Sequence, residues 1–180
     1  MTGSKQTPAI SKLSLVIGGA RSGKSRFAET LVTGTGRPRI YVATADAWDD
    51  DMRARITRHK SDRGEGWTTI ESPRDLCGTL AKVPADHVVL VDCATLWLTN
   101  HLLADADLDA ETDRLLAALA TCAAPVVVVS NEVGWSIVPD NALARTFRDA
   151  QGRLNQRLAA QADMVVAVMA GLPMVLKGQR

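Results

Sequence analysis

Apolar residues gather in short runs separated by polar stretches. Leu13-Ser-Leu-Val-Ile17 ends at Gly18-Gly19, while 88–92 reads VVLVD, 126–130 reads VVVVS and 164–169 reads MVVAVM. Runs this short and this continuous lack the alternation of a half-exposed strand. They are the pattern of strands buried on both faces, as in a parallel sheet. Residues 39–44 (RIYVAT) are β-branched and aromatic and predict another strand, and 67–71 (WTTIE) is a candidate for one more.

Between these runs the period changes. Leu143, Phe147, Ala150, Leu154 and Leu158 recur at steps of 4, 3, 4 and 4, one face of an amphipathic helix over 142–161. Apolar residues over 110–122 also carry helical spacing, and 25–32 and 49–60 read as shorter helices. Strands alternating with helices predict an α/β fold with a mainly parallel central sheet flanked by helices. The polar residues 1–12 (MTGSKQTPAISK) read as a flexible tail, leaving 13–180 as one domain. The longest apolar stretch, 164–176, is broken by Gly171 and Pro173 and is too short to span a bilayer.

Composition narrows the function classes. Of 180 residues, 46% are hydrophobic and 23% charged, which excludes disorder for the bulk of the chain. A net charge of +1 argues against a nucleic-acid binder. Cys77, Cys93 and Cys122 are scattered and form no Cys-x-x-Cys pair, so a disulfide framework or zinc ribbon is not expected. With no apolar run at the N-terminus to act as a signal, the expected location is the cytoplasm.

The most informative motif follows the first strand. Gly18-Gly19-Ala20-Arg21-Ser22-Gly23-Lys24-Ser25 matches G-x-x-x-x-G-K-[ST], a phosphate-binding loop. Glycines let the backbone approach a phosphate, and successive N–H groups make a concavity for an anion. The following helix adds its positive end. Lys24 neutralises β- and γ-phosphate charge, and the Ser25 hydroxyl is a candidate Mg²⁺ ligand. Asp92 ends the run VVLVD, where a second metal ligand is expected. Asn131-Glu132 ends another run at the sheet edge where ligands bind, or else simply caps a loop or helix.

Residues 49–60 place three aspartates at the start of a helix and basic residues at its end, with His59 one turn beyond Arg55. Spacing alone favours a solvated, dipole-satisfied helix. The other reading is a nucleophilic histidine, kept neutral by a nearby Arg among phosphate-binding cations. His87 and His101 read as surface or helix-edge residues. No Asn-Lys-x-Asp guanine signature is present, so motif chemistry does not choose the base.

Longer phrases carry a resemblance. GGARSGKSRFAE (18–29), the Asp-Asp-x-Met…Arg-Ile…Arg-His segment (49–59), LWLTN (96–100) and SNEVGWSIVPDNALARTFRDAQGRLNQRLA (130–159) resemble the bifunctional adenosylcobinamide kinase / adenosylcobinamide-phosphate guanylyltransferase family of cobalamin biosynthesis. The similarity runs from about residue 13 to residue 177.

The resemblance implies a RecA-like P-loop fold, a homotrimer and two reactions. ATP or GTP phosphorylates adenosylcobinamide on its aminopropanol hydroxyl. GTP then gives GMP to adenosylcobinamide phosphate through a GMP–histidine intermediate. It maps that histidine to His59. It maps nucleotide contacts to Gly18 through Ser25, to Ala43, Thr44 and Ala45, to Lys60, Ser61, Asp62 and Arg63, and to Glu71 and Asp92, with Mg²⁺ on Ser25 and Asp92. The loop after His59 (SDRGEGW) departs from relatives, which often have Pro after the Arg and no glycines there. Ser136 stands where Gly is usual.

Two other readings stay open at this point. One is a single-activity P-loop kinase acting on a small metabolite. The other is a nucleotide-binding switch protein, against which the missing guanine signature argues.

Overall fold

The computed structural model describes residues 10–46 and 64–178. Its strands are β1 (Leu13–Gly18), β2 (Arg39–Ala43), β3 (Trp67–Glu71), β4 (Val88–Asp92), β5 (Val126–Asn131), β6 (Met164–Met169) and β7 (Leu172–Lys177). They form one sheet in the order β3-β2-β4-β5-β1-β6-β7. All pairings are parallel except β6–β7, an antiparallel hairpin at the edge. The helices are α1 (Lys24–Thr33), α2 (Leu76–Leu80), α3 (Ala94–Leu103), α4 (Leu108–Thr121) and α5 (Ala142–Gln161).

The two-residue period of the strands divides the core. Leu15, Ile40, Val42, Val89, Val91, Val126 and Val128 face one side, where α2 to α5 deliver Leu76, Trp97, Leu115 and Leu154. Val16, Tyr41, Val88, Leu90, Val127 and Val129 face the other, where α1 contributes Ala28 and Val32. Both faces being covered explains why the strands read as unbroken apolar runs.

Helix capping differs in a way that bears on the site. The side chains of Asp75, Asp107 and Asn141 accept amide protons at the starts of α2, α4 and α5. α1 begins at Gly23, which has no side chain to offer. The amides of its first turn are thus left for something other than a capping side chain.

The predicted strands are all present, including 67–71. Three elements were not anticipated: α2, α3 and β7. α3 (ATLWLTNHLL) is apolar nearly all round because it is buried, so it shows little amphipathic period. β7 follows the Gly171 turn and contains Pro173, which an edge strand tolerates. His101 is a correction. It is only 7% exposed and its ring lies 4.6 Å from that of Trp97. The α5 stripe is buried at Ala150, Leu154 and Leu158, but Leu143 at its start is exposed. Cys93 and Cys122 are buried, Cys77 is half-buried, and none forms a disulfide. No described helix is long and apolar enough to cross a membrane.

Candidate functional site

The carboxyl ends of β3, β2, β4, β5 and β1 form one edge, and registers place the candidate residues along it. Ala43 is level with Glu71 on one side and with Asp92 on the other. Gly18 is level with Asn131. β5 lies between β1 and β4, so Asp92 is two strand spacings from the strand that carries the loop, roughly 10 Å.

The loop is built tightly. A Cβ on Gly18 would lie 2.5 Å from both the Ser22 hydroxyl and the Val168 carbonyl oxygen. Gly23 has φ +94°, and Arg21 also takes a positive φ of 56°. The Ser22 amide donates to the Gly19 carbonyl at 3.2 Å, and the Gly171 amide donates to the Ser22 carbonyl at 2.8 Å. The turn of the β6–β7 hairpin therefore holds the loop from its far side. Lys24 reaches back to the Gly19 carbonyl at 3.1 Å. A curled loop of amides leading into an uncapped helix, with an ammonium across it, can cradle phosphates.

Asp92 accepts a hydrogen bond from Tyr41 Oη at 3.1 Å. The next residue, Cys93, is fully buried, and burial, reinforced by the neighbouring Asp92 charge, pushes its thiol up to about 12. Cys93 is therefore a neutral thiol and no nucleophile. Thr44 directly follows β2. Its side chain is fully buried, accepts from the Cys93 amide and donates to the Cys93 carbonyl, both at 2.7 Å. The hydroxyl is thus engaged in joining the ends of β2 and β4 beside Asp92.

Asn100 ends the LWLTN phrase. It is buried in α3 and donates to the carbonyls of Thr44 and Pro73, both at 2.8 Å. It ties down the loops that follow β2 and β3. The available signal was an amide in the middle of an apolar helix, where a buried polar group needs partners.

Two pockets open on this edge. One of about 480 Å³ is lined by Asp46, Glu71, Ser72, Arg74 and Asp75. The other, of about 560 Å³, lies against loop residues 18–22 and the β6–β7 hairpin. The structure thus brings together 18–25, 43–45, Glu71 and Asp92 along one edge. His59, Lys60, Ser61, Asp62 and Arg63, with the helix expected over 49–60, lie outside the described residues.

A mainly parallel sheet, a glycine loop opening into an uncapped helix after its first strand and a carboxylate two strands away define a RecA-like P-loop fold. Solved structures agree at the level of fold. The RadB recombinase gives a TM-score of 0.53 at 19% identity over 88% of this chain and 74% of that one. An ATPase from a bacterial type III secretion system gives 0.57 at 12% identity over 92% and 57%.

The chain belongs to the cobinamide kinase / cobinamide phosphate guanyltransferase family, which matches residues 14–176. It is 45% identical to the bifunctional adenosylcobalamin biosynthesis protein CobP of Pseudomonas aeruginosa, over 92% of this chain and 97% of that one. It is 44% identical to the CobU proteins of Salmonella typhimurium and Escherichia coli, over 91% of this chain and 98% of each. The protein is therefore a kinase and guanylyltransferase of cobalamin biosynthesis, and a single-activity kinase or a switch protein is set aside.

Proposed function

We propose that this enzyme phosphorylates the hydroxyl of adenosylcobinamide from ATP or GTP. It then transfers GMP from GTP to the resulting phosphate through a GMP–His59 intermediate, giving adenosylcobinamide-GDP. The observation that carries the reading is the shared edge: one phosphate loop (18–25) with Asp92, Ala43 and Glu71 in register along the same strand ends.

The division of labour follows from geometry. γ-Transfer and α-transfer need different phosphorus atoms in line with the incoming nucleophile. One loop holding the triphosphate in one pose does not present both to one acceptor. A histidine from a separate segment can attack the α-phosphorus while the loop holds the pyrophosphate leaving group. The N–P bond forms as the α–β bridging P–O bond breaks. The acceptor phosphate then displaces the histidine.

The loop amides and Lys24 bind the phosphates, and Glu71 and residues 43–45 lie on the side toward the nucleoside. Lys60 through Arg63 follow His59 and add cationic and polar contacts. Ser25 and Asp92 are the residues that would hold Mg²⁺, which when bound neutralises phosphate charge. Among the described residues no three metal-ligating side chains cluster. That fits an ion taking one or two protein ligands and completing its shell from phosphate and water.

We assign residues 13–180 to one catalytic domain working in the cytoplasm as a homotrimer. Exposed Ile137, Leu143 and Leu172 give apolar surface for assembly.

The test is incubation with GTP labelled at the α-phosphate, with Mg²⁺, followed by a denaturing gel. The expected result is a protein-bound label that is acid-labile, base-stable and absent from His59→Ala. An unlabelled wild-type protein that binds GTP would overturn the covalent route.

A further inference from the structure

The pocket beside the phosphate loop contains a chemical group that the reading above leaves unused. Its lining includes Gly18 through Ser22, and its other walls are almost wholly apolar: Trp135, Ala167, Met169, Met174 and Leu176. Among the described residues that line it, Glu132 is the only acid and Arg21 the only base. A lone carboxylate in an apolar pocket that shares a wall with a phosphate loop is the arrangement a hydroxyl acceptor needs.

Glu132 is held with care. Its amide donates to the Gly18 carbonyl at 3.0 Å, so its main chain is fixed to the first residue of the loop. Its Oε1 accepts from the Gly134 amide at 2.7 Å. A Cβ on Gly134 would sit 2.9 Å from that same oxygen, so the glycine leaves room for the carboxylate.

The strand end just before Glu132 is clamped from two helices. Thr95 Oγ1 of α3 accepts from the Asn131 amide at 2.8 Å, and Asn155 of α5 donates to the Asn131 carbonyl at 3.0 Å. Ser130 donates to Asn155 Oδ1 at 2.6 Å, and Gln151 donates to Ser130 Oγ at 2.9 Å. All three of these side chains are buried. A buried network that costs desolvation and ends one residue from a pocket carboxylate fixes its position. Asp92 is differently placed. It stands two strands from β1 and is held by Tyr41.

We infer that Glu132 is the proton acceptor of the kinase step and that this pocket takes the hydroxyl-bearing arm of the cobinamide acceptor. The inference rests on the kinase activity of the family and not on the histidine intermediate. In the step, the acceptor O–H bond breaks and its proton passes to the Glu132 carboxylate. The oxygen bonds to the γ-phosphorus. The γ-phosphorus bond to the bridging oxygen breaks, and its electron pair leaves with the nucleoside diphosphate. In guanylyl transfer the acceptor is already a phosphate anion with no such proton to give up, so Glu132 has no comparable task there.

The experiment compares Glu132→Gln with wild type in two assays on the same preparations: phosphorylation of cobinamide, and guanylyl transfer to ready-made cobinamide phosphate. Glutamine keeps an oxygen for the Gly134 amide but cannot take the proton. The expected result is a fall in kinase kcat of about 10²-fold or more, with nucleotide affinity retained and guanylyl transfer falling far less. Kinase kcat within twofold of wild type would overturn the assignment. So would a parallel fall of both activities together with nucleotide affinity, which marks a structural role.

Trp135 is 80% exposed at the pocket mouth, so Trp135→Ala is expected to fold. It should raise the KM for cobinamide severalfold. A raised KM for the nucleotide instead would place the nucleobase in this pocket and overturn the proposal. Neither assay reads a protein-bound label, so failure of the covalent route leaves this test intact.

Discussion

The Thr44 hydroxyl bonds to both sides of Cys93, accepting its amide proton and donating to its carbonyl, each at 2.7 Å. One buried hydroxyl thereby sets how the end of β2 meets the end of β4, one residue from Asp92. Thr44→Val keeps the shape and removes both bonds. We expect a loss of roughly 1–3 kcal/mol in denaturant unfolding, because a buried amide is left unpaired. Thr44→Ser should recover most of it.

Cys93 gives a pH dependence with a definite sign. Its thiol is raised from 9.0 to about 12 in the folded protein, chiefly by burial and then by the Asp92 charge. Between those values the unfolded chain has lost the proton and the folded chain keeps it. The unfolded state then binds fewer protons, so stability falls as pH rises from about 9 toward 12. Burial raises the Cys77 thiol as well and acts in the same direction. Chemical denaturation across this range should show a shallower alkaline decline for Cys93→Ala. Alkylation of native protein at pH 8 should leave Cys93 unmodified.

Gly18→Ala tests the closeness of loop and hairpin. Its Cβ would meet the Val168 carbonyl at 2.5 Å, and a backbone oxygen in a sheet cannot step aside. Overpacking of this kind costs roughly 1–3 kcal/mol. We expect lowered thermal stability together with weakened nucleotide binding, read by calorimetry and by titration with a non-hydrolysable triphosphate.

Asp92→Asn should separate metal use from folding. The amide can still accept the Tyr41 hydrogen bond but loses the charge that favours a divalent ion. Kinase and guanylyl transfer should both fall, and the Mg²⁺ concentration for half-maximal rate should rise several-fold. An unchanged Mg²⁺ titration would remove Asp92 from the metal site. EDTA should abolish both activities in the wild type.

Asn155→Leu should act at a distance. It withdraws the bond to the Asn131 carbonyl and leaves Ser130 and Gln151 without their shared partner. We expect kinase kcat to drop more than the nucleotide KM changes, with Asn155→Asp restoring part of the rate. Equal losses in both would mark a purely structural network.

The strands were legible because burial on both faces leaves no polar interruption, as in VVVVS. The phosphate loop was legible because its chemistry is local: eight consecutive residues carry it. α3 escaped because a helix buried all round has no polar face to mark its period. β7 escaped because Pro173 and the Gly171 turn read as breakers, although the turn only reverses the chain and an edge strand tolerates the proline. Thr44 follows β2 in sequence, but its hydroxyl bonds to a residue 49 positions away, which no spacing reveals. Glu132 was visible only as one of two equal readings. What separates a pocket acid from a cap is the neighbouring hairpin, and that hairpin comes from the far end of the chain.

The place of β1 in the sheet has a consequence for synthesis. The phosphate loop is made well before its frame, because the partners of its strand are 126–131 and 164–169. Strands β2, β3 and β4 can pair with one another earlier, whereas LSLVI must wait, apolar and unpaired, for β5 and β6. A newborn chain thus carries its nucleotide loop without the frame that shapes it until β5 and β6 are made. Nucleotide can steady the finished protein but offers no help to the growing one.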